Sequence, residues 1–273
     1  MASHQNRLSD PGKESRLKQH LPVVPVFDGY RALAILGVVV LHIILNAGYL
    51  DEVNPFSIVV QGFLGQAVEV LFVVSGFVVF LPTVARQGDF GSVGSYFVRR
   101  AARLIPAYWM ILVICLLLLW LVPPDGIDLP GLGSVVIHFI GAQVLASGLI
   151  PGFVTGFGLD GPVWTLSVEI GFYLVLPLIA GIYFRRPLAG LLVAALITIL
   201  WKVLQGHIDW VPSLLGTQIT IDTAIRWSVT GVSQLPNWAF SFAAGMTGAW
   251  AYVKAMEDRD RWAGLIRIVQ PLS

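Results

Sequence analysis

Two stretches of the chain, residues 32–50 and 104–124, carry no charged side chain when His42 is neutral. Each is long enough to cross a bilayer's hydrocarbon, which takes ~20 apolar residues at about 1.5 Å of rise apiece. At that depth the backbone must satisfy its own hydrogen bonds, and a helix does so within one segment. Composition agrees: 12% of the 273 residues are charged and 56% are hydrophobic, whereas about a quarter of an ordinary soluble domain is charged. Seventeen Lys and Arg against sixteen Asp and Glu leave no basic excess for neutralising a nucleic acid. The single cysteine, Cys115, excludes an intrachain disulfide framework and any cysteine-rich metal site, and its apolar surroundings make it a packing residue. The expected fold class is all-α: a polytopic transmembrane helical bundle.

The chain opens with an arm, residues 1–24, whose Arg7, Lys13, Arg16 and Lys18 stand among Ser, Asn and Gln. Such a segment buries too little to fold alone, and its basic residues place it on the cytoplasmic side of a cell membrane. A polar stretch this long before the first span, with more spans after it, is not a cleaved signal peptide. From residue 25 the remainder reads as one membrane domain. A second apolar region, 55–85, returns the chain to the cytoplasm, where Arg99, Arg100 and Arg103 form its densest basic cluster. A third span runs from about 104 to 122. Between Arg103 and Arg185 there is no Lys or Arg, so the stretch 132–149 either crosses fully or lies interfacial or re-entrant. The positive-inside tendency favours the second, since Arg185 and Arg186 then face the cytoplasm. Spans over 164–183, 187–204 and 238–253 follow, while 210–232 is ambiguous between an external amphipathic helix and another crossing.

Polar groups inside such spans are costly, so they pair or line a path. Arg31 and His42 are eleven residues apart, within about 20° of the same helix face and separated by about 16 Å of rise. Asp28, three residues before Arg31, is placed to hold its guanidinium. A neutral imidazole at such a site can take a proton from a hydroxyl; it can equally be a packed histidine bonded to a neighbouring helix. Glu69 lies in an otherwise apolar run with Gln66 one turn earlier. The Ser75-Gly76 pair that follows suits close helix packing better than a nucleophile, there being no G-x-S-x-G elbow. Thr165, Glu169 and Tyr173 recur every fourth residue and share a face, either to bind a polar substrate or to brace helices. The arginine cluster either anchors the interface or grips phosphate through bidentate guanidinium contacts.

Four motifs, in order, resemble the acyltransferase family 3 membrane proteins. They are Phe27-Asp28-Gly29-Tyr30-Arg31 followed by His42, Phe72-Val73-Val74-Ser75-Gly76-Phe77, Arg99-Arg100-Ala101-Ala102-Arg103 with Pro106-Ala107-Tyr108-Trp109, and Trp164-Thr165-Leu166-Ser167-Val168-Glu169-Ile170-Gly171-Phe172-Tyr173. The resemblance implies transfer of an acyl group, often acetyl, from cytoplasmic acyl-CoA to a hydroxyl of a carbohydrate, glycolipid, envelope glycan or secondary metabolite. It implies no permanently bound cofactor and no metal. It casts His42 as the catalytic group with Arg31 and Glu69 beside it, and assigns Arg100 and Arg103 to the CoA donor. Asp28, Trp164, Ser167, Glu169 and Tyr173 become substrate-binding or supporting residues. Both direct transfer and a covalent acyl-histidine remain open, and a transporter or a non-catalytic membrane protein would use the same buried groups. Domains of the family resemble ten-helix bundles, against which this chain is expected to supply seven or eight spans and to be incomplete at its C-terminus.

Overall fold

The computed structural model describes residues 25–49, 54–122, 128–150, 153, 161–207, 210 and 230–257, and among them the regular elements are helical. Helix α1, Pro25–Asn46, starts on a proline that has no amide hydrogen to leave unpaired, with Asp28 in its first turn where the helix dipole favours an acid. Helix α2, Pro55–Leu64, is entered through a reciprocal cap: the Asn54 side chain accepts from the Ser57 amide, and Ser57 Oγ accepts from the Asn54 amide, both at 2.9 Å. Gly65 and Gln66 separate it from α3, Ala67–Ala85.

Helix α4 runs from Val93 to Leu121 and is capped by Ser92, so it begins eleven residues before the apolar stretch that announced it. The basic cluster therefore rides on the helix rather than preceding it. Arg99 and Arg103, one turn apart, are exposed, while Arg100 is turned partly inward. The stretch 132–149 is broken: α5, Leu132–Phe139, and α6, Gln143–Leu149, are separated by Gly141 at φ +74°, a backbone shape that glycine adopts without a Cβ clash. At eight and seven residues neither reaches across a bilayer, which agrees with the interfacial or re-entrant reading rather than a straight span. A single turn at Gly161–Val163 leads into α7, Trp164–Arg185, and then α8, Pro187–Gly206, and α9, Leu235–Glu257.

Five stretches among the described residues are long and apolar enough to span a membrane: 27–45, 55–85, 93–121, 164–185 and 187–206. Helix α9, which covers the expected span 238–253, is not one of these five; Asn237 and Ser241 interrupt its apolar surface and are buried inside the bundle. Nearly all of the ambiguous stretch 210–232 lies outside the described residues, as does the N-terminal arm 1–24.

Helix α3 is the axis of the bundle, and its closest partner is α9. A Cβ on Gly76 would stand 2.2 Å from the Phe242 carbonyl oxygen, and one on Gly245 would stand 1.9 Å from that of Val73. The two backbones touch because neither glycine holds them apart, the close approach that small residues allow between membrane helices. Around this seam Phe72 and Phe172 flank Phe242 with ring centroids 4.8 and 4.1 Å away. Gly245→Val is expected to destabilise the bundle by on the order of 1–3 kcal/mol or more, because backbone must move. Gly181→Ala, whose added methyl meets nothing within 4 Å, is expected to leave it unchanged. Thermal melts in detergent followed by size exclusion check this, and equal melts for the two variants would contradict the close approach.

Candidate active site

Three helices meet at one carboxylate. Arg31 on α1 donates through Nη2 to Ser75 Oγ on α3 at 3.0 Å, and that hydroxyl donates to Glu169 Oε1 on α7 at 2.7 Å. The Tyr173 hydroxyl, one turn further along α7, donates to the same oxygen at 2.6 Å. Arg31 Nη2 itself stands 3.9 Å from Glu169 Oε1, so the serine bridges a charge pair slightly too long for a direct bond. Both charged side chains are 16% exposed, which explains the arrangement: in an apolar interior neither charge is tolerable unless the other compensates it.

Arg100 stands one aromatic ring away. Its guanidinium carbon is 5.7 Å from the Tyr173 ring centroid and 5.9 Å from that of Tyr96, whose hydroxyl donates to the Tyr173 carbonyl. Its Nε is buried and has no hydrogen-bond partner among the described residues. A cavity of about 330 Å³ opens beside it between α4, α7 and the α5–α6 break, walled by Arg100, Leu104, Ile105, Tyr108, Ile140 and Tyr173 among others.

His42 sits on the same helix as Arg31 and is half-buried. Its Nδ1 is 2.8 Å from the Val38 carbonyl oxygen. A carbonyl can only accept, so Nδ1 bears the proton and, in the neutral ring, Nε2 is left as the lone-pair nitrogen. No other group among the described residues bonds the ring, and the eleven-residue rise keeps it about 16 Å from Arg31 along the axis.

Other expected residues fall elsewhere. Asp28 is exposed and forms no ion pair among the described residues, because the Arg31 guanidinium turns across to Ser75 and Glu169 instead. Glu69 is half-buried in the first turn of α3, with no hydrogen bond or ion pair among the described residues. Arg103 is exposed, one turn on from the partly buried Arg100. Trp164 packs near Phe72 and Trp238, and Ser167 is buried with no partner for its hydroxyl among the described residues. Thr165 does not join its Glu169–Tyr173 stripe; its hydroxyl returns to the Pro162 carbonyl as a helix-start contact. Ser75 is the residue whose role the sequence hid. Gly76 supplies the close packing assigned to the pair, while the serine hydroxyl joins two charges. The available signal is that Glu69 and Ser75 are the only polar side chains in the run 67–82.

The family model described as Acyltransferase domain matches residues 24–269. Among curated relatives, Nodulation protein 10 of Rhizobium leguminosarum bv. viciae is 28% identical over 158 residues, covering 54% of this chain and 41% of that protein. Peptidoglycan O-acetyltransferase OatA of Listeria monocytogenes is 31% identical over 56% of this chain and 24% of its own. Acyltransferase MdmB of Streptomyces mycarofaciens is 32% identical over 57% of this chain and 38% of its own. The chain thus spans less than half the length of these relatives. No solved structure matches it.

If the three-helix network is one unit, Arg31→Gln and Glu169→Gln each leave a buried charge uncompensated, and the double variant removes both charges. The double variant is expected to be more stable than the sum of the singles by about 1–3 kcal/mol. Thermal melts of the four proteins in one detergent measure that coupling, and strictly additive losses would show that the charges do not depend on each other.

Proposed function

Since the chain belongs to the family defined by this acyltransferase domain, we propose that it transfers an acyl group from cytoplasmic acyl-CoA to a hydroxyl of a carbohydrate or envelope glycan, with His42 as general base. The observation that carries the reading is the His42 Nδ1 contact with the Val38 carbonyl, which fixes the ring and leaves Nε2 as the proton acceptor. In this reading Nε2 takes the acceptor's hydroxyl proton as that oxygen bonds to the thioester carbonyl carbon. The carbon–sulfur bond then breaks, and the CoA sulfur leaves with the proton that the imidazole returns. Atoms balance with no further reactant. An acyl-histidine intermediate would reach the same products by attack of Nε2 itself.

Arg31 is committed to Ser75 and Glu169, so its role in this proposal is to position helix α1 rather than to stabilise the oxyanion. Arg100 and Arg103 meet the CoA phosphates near the cytoplasmic surface, which orients α4 with its N-terminus inward and the chain's N-terminus on the same side. That orientation suits a multi-pass protein of the plasma membrane with residues 1–24 as a cytoplasmic arm. The seven or eight spans expected from sequence would then include α9. The relative named as a peptidoglycan O-acetyltransferase supports an envelope glycan as the acceptor.

Membranes containing the chain, given labelled acetyl-CoA, are expected to label an envelope glycan. His42→Ala at equal membrane abundance is expected to reduce the rate by about 10²-fold or more. Label that persists undiminished in the variant would remove histidine from the chemistry, and label equal to that of membranes lacking the chain would remove acetyl transfer.

A further inference from the structure

Two of the described arginines are held through their N–H groups. Arg31 gives Nη2 to Ser75 Oγ, and Arg86 gives Nε and Nη2 to the carbonyls of Asp89 and Phe90. Arg100 is partly buried yet makes no hydrogen bond or ion pair among the described residues, and the slot beside it has no carboxylate in its lining. What holds it is aromatic. Its guanidinium carbon stands 5.9 Å from the Tyr96 ring centroid and 5.7 Å from that of Tyr173, both within reach of a cation–π attraction. A π face attracts the cation without engaging its N–H groups, so the whole fork stays available to an anion.

The two rings differ in what fixes them. Tyr96 lies four residues before Arg100 on α4, so their contact is local to one helix. Tyr173 reaches the guanidinium from α7 and is buried. Its hydroxyl donates to Glu169 Oε1 at 2.6 Å, its carbonyl accepts from the Tyr96 hydroxyl at 3.3 Å, and its ring meets that of Tyr96 edge-on. Bound at its backbone and at its tip, Tyr173 has little freedom in where its face lies. The acid at that tip is already occupied, since Glu169 Oε1 also accepts from Ser75.

We propose that Tyr173 is a positioning residue for the donor: its ring face presents Arg100, N–H groups free, to a phosphate of the coenzyme A thioester, and the bond from its hydroxyl to Glu169 keeps the ring in place. This rests on the acyl-transfer reading above and deepens it, by naming the side chain that aims the donor arginine. Arg100 keeps the single role of meeting phosphate, and the thioester carbon is left to His42. Tyr173 touches no reacting atom; it acts through Arg100.

The test measures binding of free CoA, which carries the donor's phosphates and no acyl group, to the purified full chain in nanodiscs. Wild type is compared with Tyr173→Phe, Tyr173→Leu, Tyr173→Met, Arg100→Gln and the double variants that join Arg100→Gln to Tyr173→Leu or to Tyr173→Met. Leucine and methionine lack a π face, and each is expected to weaken binding about five- to tenfold; phenylalanine keeps the face and is expected to stay within about twofold of wild type. With Arg100→Gln there is no cation to aim, so adding either tyrosine variant is expected to cost nothing further. A packing role would instead cost the same affinity in both backgrounds. That outcome, or wild-type affinity in whichever of the leucine and methionine variants melts cooperatively, or a tenfold loss in Tyr173→Phe, overturns the positioning role and leaves acyl transfer standing. Arg100→Gln that binds CoA as wild type does removes the arginine from the donor site and this inference with it. No binding of CoA by wild type that melts cooperatively overturns the donor reading and this inference together.

Discussion

The bundle depends on how it accommodates one positive and one negative charge where water is scarce. Helix α1 shows why. Ala34 and Val38 are its only described side chains in the buried class, while Leu33, Ile35, Leu36, Val39 and Ile43 face outward, where lipid is as favourable as protein. Apolar burial alone therefore selects the rotation of α1 weakly. The Arg31 guanidinium selects it strongly, since one orientation delivers it to Ser75 and Glu169 and the others leave it unpaired. His42 inherits that choice, being about three turns along and nearly in phase. Thus an ion pair near one end of a helix sets the facing of an imidazole near the other.

The two sides of α3 use opposite packing strategies. Toward α9, glycines on both helices bring backbones into contact, and the Tyr183 hydroxyl of α7 donates to the Ala243 carbonyl of α9. Across α7, toward α4, large rings stand between the backbones: Tyr96 meets Tyr173 edge-on at 6.3 Å. Close contact on one side gives the axis its stiffness, and aromatic spacers on the other leave room for a slot. The helix break at Gly141 contributes to that room, since an irregular backbone at membrane depth is acceptable where it is covered by protein or lines a cavity. The Phe139 carbonyl next to the break is satisfied by Trp109 Nε1 at 2.9 Å.

Much of this was legible because membranes enforce simple rules. Long apolar runs located α1, α3, α4, α7 and α8, and a four-residue recurrence placed Glu169 and Tyr173 on one face. Local proximity misled at Asp28: three residues is a good distance for pairing on an isolated helix, but a partner on another helix better compensates a charge that must be buried. The start of α4 was misplaced for a different reason. An apolar window ends where charges begin, whereas the helix begins where Ser92 caps it, and arginines near the interface extend their head groups outward without breaking it. Ser75 was invisible for a third reason, because one serine in an apolar helix is usually a small packing residue. What distinguishes it is the pair of charges on two other helices, which no local pattern encodes.

The geometry around His42 also constrains how the proposed chemistry would be supported. Its Nδ1 partner is a backbone carbonyl of its own helix, which fixes the tautomer yet carries only partial negative charge. A carboxylate in that place would hold the imidazolium more firmly, as in acid–histidine pairs of soluble hydrolases. Glu169 cannot serve, since its Oε1 already accepts from Ser75 and Tyr173 and lies beside Arg31, about three helical turns below. On the proposed reading, His42 therefore holds its proton only while the thioester carbon changes partners.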